Sequence, residues 1–221
     1  MRRKVRSLAL VIGLGAFVLG CATTSNLPMT ANIDDYVTLG TDTNILQTVA
    51  FEYESKISDG IIKPCGKDRG TEQSSHPGYR HTESTTLEQM LNEYMSHKFF
   101  QMNPDAKIRI KVTLTDFWIE QYLTDSTGKV VKSGSSGGEF SSVCLAKVKV
   151  LVTINRSGVD YSEILVGSAE ETHVSGFGTE AQKSYRYKGK ESVEHTHAKN
   201  INQANNKVLA LMNRYFENMD L

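Results

Sequence analysis

From Ala106 to Tyr122 the apolar residues Ile108, Ile110, Val112 and Leu114 alternate with Arg109, Lys111, Thr113 and Thr115. From Ser141 to Ile154 the residues Cys144, Ala146, Val148, Val150, Val152 and Ile154 alternate in the same way with Lys147, Lys149 and Thr153. A period of two sends alternate side chains to opposite faces of an extended chain. Each segment therefore predicts a strand with one apolar face and one polar face. Two such segments of this length fix the centre of the fold as a sheet that must be covered on one side.

The remaining elements can be placed around that centre. Asn155-Arg156-Ser157-Gly158 is a hairpin turn with glycine available for positive φ, and Val159 to Glu171 returns from it as a further strand. Ile45 to Tyr53 sets Ile45, Val49, Phe51 and Tyr53 against Thr48 and Glu52, another strand pattern. Leu87, Met90, Leu91, Tyr94 and Met95 fall at the i, i+3, i+4, i+7, i+8 spacing of an amphipathic helix. Thr85-Thr86-Leu87-Glu88 fits a capping box at its start, and Asn103-Pro104 lies beyond its end, since proline does not continue a helix. Ile201, Ala204, Val208, Leu211, Met212, Tyr215, Phe216 and Met219 mark a long closing helix. Residues 54–84 read as one long loop, with Gly60, Pro64, Gly66, Gly70, Pro77 and Gly78 in it.

The predicted order is β-α-β-β-β-α. The first two strands, joined through a helix, are expected to be parallel, and the last three to form an antiparallel meander. The expected fold is α/β (α+β): a two-layer sandwich with a mixed four-stranded sheet and two helices on one face. No internal repeat is present.

The N-terminus carries a different signal. Arg2, Arg3, Lys4 and Arg6 form a basic start, and Leu8 to Leu19 is an apolar run of about 12 residues, too short for the roughly 20 that span a bilayer. This is the build of a secretory signal peptide. Val18-Leu19-Gly20-Cys21 resembles a lipobox, the site at which a signal peptidase cuts before a lipid-modified cysteine. Residues 1–20 are thus expected to be removed, with diacylglycerol and a palmitate-type acyl chain on Cys21. Residues 21–44, rich in Thr, Asn, Ser and Asp, read as a lipidated cysteine followed by a flexible tether. A single domain is expected over residues 45–221.

Cleavage changes the charge. The whole chain has 25 basic and 25 acidic residues, but the four basic residues of the signal are lost, leaving 21 against 25 and a charge near −4. Phosphate binding needs a concentrated basic surface, so nucleic acid is not an expected partner. The sequence also has 39% hydrophobic and 23% charged residues, which suits a packed domain rather than a disordered one.

Three cysteines are present. With Cys21 carrying lipid, Cys65 and Cys144 remain as a pair in an oxidising compartment, and a disulfide between them is expected. An alternative reading, from a different class, is a metal-binding protein that uses the histidines. His195-Thr196-His197 shares a face only on a strand, and it lies at the opening of the last helix. Cys65, His76 and His81 do not have the compact spacing of structural zinc sites. Neither place is expected to hold a metal, and no cofactor is implied. There is no G-x-S-x-G elbow, H-E-x-x-H pair or Walker loop; Gly134 to Gly138 is glycine-rich without the following Lys-Ser/Thr helix. No catalytic residue is assigned. Candidate partner contacts are the basic stripe Arg109, Lys111, Lys147 and Lys149 on the polar sheet face, and the aromatic cluster Tyr185-Arg186-Tyr187.

The lipobox at Cys21, the helix around Leu87 to Met95, the strand Ile108 to Leu114 followed by Asp116-Phe117-Trp118, the later hairpin strands and the closing helix resemble the small bacterial envelope lipoproteins of the YajG type. The resemblance covers most of the mature chain as a pattern; the long loop 54–84 and the cysteine pair depart from it. It implies a non-enzymatic periplasmic domain of undefined role; an export and lipidation signal on a domain without a catalytic constellation leads us to expect a binding or scaffolding module for envelope proteins. A rival within the same compartment is an accessory subunit of a transport or appendage machine. In enterobacterial lipoproteins an Asp after the cysteine retains the protein at the inner membrane; Ala22 stands there instead, which by this resemblance implies the outer membrane, with the domain facing the periplasm.

Overall fold

The computed structural model describes residues 24–34, 45–70, 78–131, 140–175 and 193–221. In chain order the strands are β1 (Ser25–Asn26), β2 (Ile45–Ser55), β3 (Gly60–Ile62), β4 (Tyr79–His81), β5 (Phe99–Met102), β6 (Ile108–Asp125), β7 (Val130–Val131), β8 (Phe140–Arg156) and β9 (Val159–Ser175). The helices are α1 (Glu83–Lys98) and α2 (Val193–Asn218). Among the described residues the chain is a mixed α+β fold, with more strand than helix and two α-helices.

The main sheet has the order β5-β2-β6-β8-β9, with β7 added beside β6. β2 runs parallel to both β5 and β6, and β6, β8 and β9 form the antiparallel meander. The parallel pair and the meander agree with the sequence. The sheet has six strands rather than four, because Phe99–Met102 turns directly from α1 into an edge strand and Val130–Val131 folds back on β6. A second, three-stranded sheet of order β1-β4-β3 lies inside the region expected to be loop and tether.

One face of the main sheet meets both helices. Ile110, Val112 and Leu114 of β6, Ala146, Val148, Val150, Val152 and Ile154 of β8, and Leu165 and Ala169 of β9 are all buried in a single core. Each such side chain, fully buried, contributes about 1.5–3 kcal/mol for the larger aliphatics. α1 supplies the expected Leu87, Met90, Leu91, Tyr94 and Met95. α2 lies against β8 and β9 through Ile201, Ala204, Val208, Leu209, Met212 and Phe216. The helices also touch: the Tyr94 hydroxyl donates to Asn213 Oδ1, and Asn205 Nδ2 donates to Glu83 Oε2 at 3.4 Å.

A bulge interrupts β6. Leu114 pairs with Val150 and Phe117 with Val148, so Thr115 and Asp116 together oppose Lys149. The extra residue resets the alternation. Phe117 and Ile119 then face the core, while Trp118 and Glu120 share the outer face with Lys147.

α1 starts three residues earlier than the capping box predicts, at Glu83 with Thr82 rather than Thr85 as N-cap. One orphan backbone donor is met from a distance: Asp59 accepts from the Ser84 amide at 2.8 Å, and also from the Thr85 hydroxyl at 2.5 Å. A carboxylate at a helix N-terminus is also favoured by the helix dipole.

Part of the expected tether is packed. β1 runs parallel to β4, the Leu27 amide donates to Arg80 O at 2.9 Å, and Leu27 is buried. Asn206 of α2 then holds the strap at two points, donating to Asn32 O at 3.0 Å and accepting from the Asp34 amide at 2.8 Å. Apolar Leu27, Met29 and Ile33 give this Thr- and Asn-rich segment enough to bury. The folded domain therefore begins by Ser25, not at Ile45.

Candidate partner-binding edge

β9 ends the order of the main sheet, and among the described residues no strand pairs with its outer edge. It spans 17 residues, well above the five or six usual for a strand. An edge strand presents alternate unpaired N–H and C=O groups, which most proteins shorten, twist or charge. β9 instead exposes apolar side chains: Val159, Tyr161, Ile164 at 57% and Val166 at 42%. Beside it lies an open groove of about 490 Å³ lined by Val166, Ser168, Lys207, Ala210, Leu211 and Arg214. Lys207 reaches across it to donate to Ser168 O at 2.6 Å. The arrangement can bind an extended chain by main-chain hydrogen bonds, with an apolar slot and the Arg214 guanidinium beside it. The sequence gives a strand here; the run Ile164-Leu165-Val166, apolar on both faces, is the signal that its outer face is not ordinary.

The basic stripe is on the outer face as expected, but it is not one free surface. Lys111 lies between Glu52 and Glu54 of β2, at 3.2 and 2.7 Å; the hydrogen bond to Glu54 raises the Lys111 pKa, and the same contact lowers that of Glu54. Lys147 stands 3.8 Å from Glu120 and 5.5 Å from the centre of the Trp118 ring. Arg69 covers the same ring at 3.9 Å and pairs with Asp116. Glu120 is buried, accepting from Trp118 Nε1 at 2.9 Å and the Asp68 amide at 3.1 Å. Lys149 has Asp116 as its cross-strand neighbour, and Arg109 lies exposed toward the other end. Interleaved carboxylates thus divide the stripe. Glu120 and Arg69 were not singled out by sequence; Trp118-Ile119-Glu120, with Trp and Glu on one strand face, was the available signal.

In this structure Cys65 and Cys144 are not bridged to each other, in contrast to the expected disulfide; the Cys65 thiol donates to Ile119 O at 3.2 Å. Cys65 adds to one edge of β6 as an isolated parallel bridge with Glu120, donating its amide to Ile119 O at 3.0 Å and accepting from the Gln121 amide at 2.9 Å. Cys144 sits on β8 at the other edge, opposite Gln121. With β6 between them, two strand spacings separate the cysteines by about 10 Å, beyond the roughly 7 Å limit for a disulfide. The long loop is instead pinned by backbone pairing. Burial, with Glu171 nearby, pushes the Cys144 thiol up to about 12. Protein purified without reductant should show no mass change on reduction. A maleimide should leave Cys144 unmodified in the native state and modify both Cys65 and Cys144 after denaturation; a two-dalton gain on reduction would refute this.

The histidines remain apart. His195 and His197 lie in the first turn of α2, where i and i+2 diverge; His195 is exposed and His197 buried, its ring 5.3 Å from that of Tyr79. His81 packs on Phe117 at 5.0 Å, accepts from the Glu83 amide at 3.3 Å, and has its pKa lowered by burial. Among the described residues no three His, Cys, Asp or Glu side chains come together as a metal site. His76, Gly134 to Gly138, Tyr185-Arg186-Tyr187 and Cys21 lie outside the described residues. No helix among the described residues is long and apolar enough to cross a membrane.

No family model matches the chain, and no curated protein does. Solved structures with a similar chain course include a Xanthomonas campestris protein of the DUF330 family, at 11% identity and a TM-score of 0.46, covering 90% of this chain and 99% of that one. Another is a Helicobacter pylori homologue of a neuraminyllactose-binding hemagglutinin, at 12% identity and a TM-score of 0.40, covering 79% and 84%. At this level of similarity they carry no argument about what this chain does.

Proposed function

We propose that the protein is a membrane-anchored envelope lipoprotein whose domain is a non-catalytic binding module, taking an extended segment of an envelope protein along β9. The observation that carries the binding reading is the long, apolar, unpaired edge of β9 next to the groove under α2. Lys207 and Arg214 on the groove wall favour a segment with apolar residues and an acidic one. The anchoring reading rests on the basic start, the short apolar run and the lipobox-like Val18-Leu19-Gly20-Cys21. The outer membrane and the YajG-type family belong to the same reading. A service role in a transport or appendage machine is the form it takes if the bound segment belongs to such a machine.

A photo-crosslinking residue placed at position 164 in membranes tests the binding half. The expected result is one adduct to a second protein, lost when Val166 is replaced by lysine. Both side chains point to solvent, so stability should change by no more than about 0.5 kcal/mol. Adducts of twice the chain's own mass, or none, would overturn it. The intact mass of the membrane-extracted protein tests the anchor; the unprocessed mass would overturn that half.

A further inference from the structure

The small sheet has one buried and one exposed face. Tyr79 and His81 of β4 turn inward, against His197 and Phe117. On the other face the register aligns Asn26 of β1, Arg80 of β4 and Ile61 of β3 in one row. All three are exposed, Ile61 at 57%, and exposed Lys63 follows β3. The row joins a large apolar side chain to two cations.

Its position relative to Cys21 is set by chain length. Three residues, Ala22, Thr23 and Thr24, separate Cys21 from Ser25. Fully extended, that stretch spans at most about 14 Å. The 23-residue tether expected from sequence would have had a typical reach of about 26 Å and no preferred orientation. From Asn26 the row continues two strand spacings, about 10 Å, to Ile61.

We infer that the exposed row Asn26–Arg80–Ile61, with Lys63, is a bilayer-contact surface, and that it fits an anionic lipid surface. The inference rests on the acylated Cys21 of the proposed function. Lipid on that residue holds β1 at the headgroups, Ile61 enters the interface, and Arg80 and Lys63 meet lipid phosphates, which attract basic side chains close to the surface. The contact turns the domain so that β9 is presented in a fixed orientation rather than swung on a leash.

The test uses the full acylated protein in vesicles of phosphatidylglycerol and phosphatidylethanolamine that carry a lipid-borne quencher. A fluorophore is attached at Ile61→Cys, or for comparison at Arg156→Cys at the far end of β8, in a Cys65→Ser background. A serine hydroxyl can replace the Cys65 donation to Ile119 O. Quenching is expected to be several-fold stronger at position 61 than at 156. Inserting about 20 Gly/Ser residues after Thr23, an r.m.s. reach of about 25 Å, should erase most of the difference. Arg80→Glu should weaken quenching at position 61 in anionic vesicles. Equal quenching at both positions, or quenching at 61 unmoved by Arg80→Glu, overturns the contact while an acylated intact mass leaves the anchor standing. A mass without lipid overturns both.

Discussion

Replacing Gly167 with valine should destabilise the domain by about 3 kcal/mol or more, at the upper end of what overpacking costs. Gly167 lies on β9 directly beneath α2. A Cβ added there would overlap the Ala204 carbonyl oxygen, far inside van der Waals contact distance, and lie 2.9 Å from Val208 Cγ2. The oxygen belongs to the helix backbone, so no rotamer change relieves the clash. α2 would have to lift from β8 and β9, opening the core around Ile201, Val208 and Met212. Urea unfolding of the variant beside the native protein reads the loss directly. A change below about 1 kcal/mol would mean that the helix rides on a softer contact than this geometry implies.

The second large effect depends on pH. Glu83 opens α1 and is fully buried. Burial raises its carboxyl well above the ordinary range; the hydrogen bond from Asn205 only partly offsets this, and Asp59 adds to it. Its Oε1 has no hydrogen-bond partner, which suits a protonated, neutral acid. In the folded chain the proton is held to higher pH than in the unfolded chain. Below the unfolded value of about 4.5 both states bind it and nothing is lost. Above that value the unfolded state releases its proton first, so stability falls with rising pH until the folded value is passed. For one group the slope approaches about 1.4 kcal/mol per pH unit. Glu83→Gln keeps the shape and an acceptor for Asn205 but cannot ionise. The variant should lose this slope and gain on the native protein as pH rises from 5 toward neutrality. Parallel stability curves for the two proteins across that range would rule the assignment out.

The regular parts of the fold were legible from the sequence because their patterns are local. Period two marks β6 and β8, the 3.6-residue spacing marks α1 and α2, and Ser157-Gly158 turns with positive φ at both residues as the hairpin requires. What escaped depends on partners far along the chain. Asp59 caps α1 from 25 residues away, so the local capping box at Thr85 was misleading. Cys65 was read through its thiol, whereas its backbone is what joins β6. The bulge at Thr115 is silent in composition, yet it decides that Trp118 and Glu120 meet Lys147. The basic stripe was correctly placed on a polar face, but Glu52, Glu54 and Glu120, which break it up, come from other strands or from beyond the bulge. The unpaired edge of β9 is a property of strand order, which no single segment encodes.

The strap at the start of the domain ties its two ends into a sequence of events. Asn206 fastens Asn32 and Asp34 across 174 and 172 residues, so these bonds form only when the last helix is in place. Pairing of β1 with β4 seats the start of the strap, and Asn206 of α2 holds its end. The last helix is thus the clasp that closes the first described segment onto the rest of the domain.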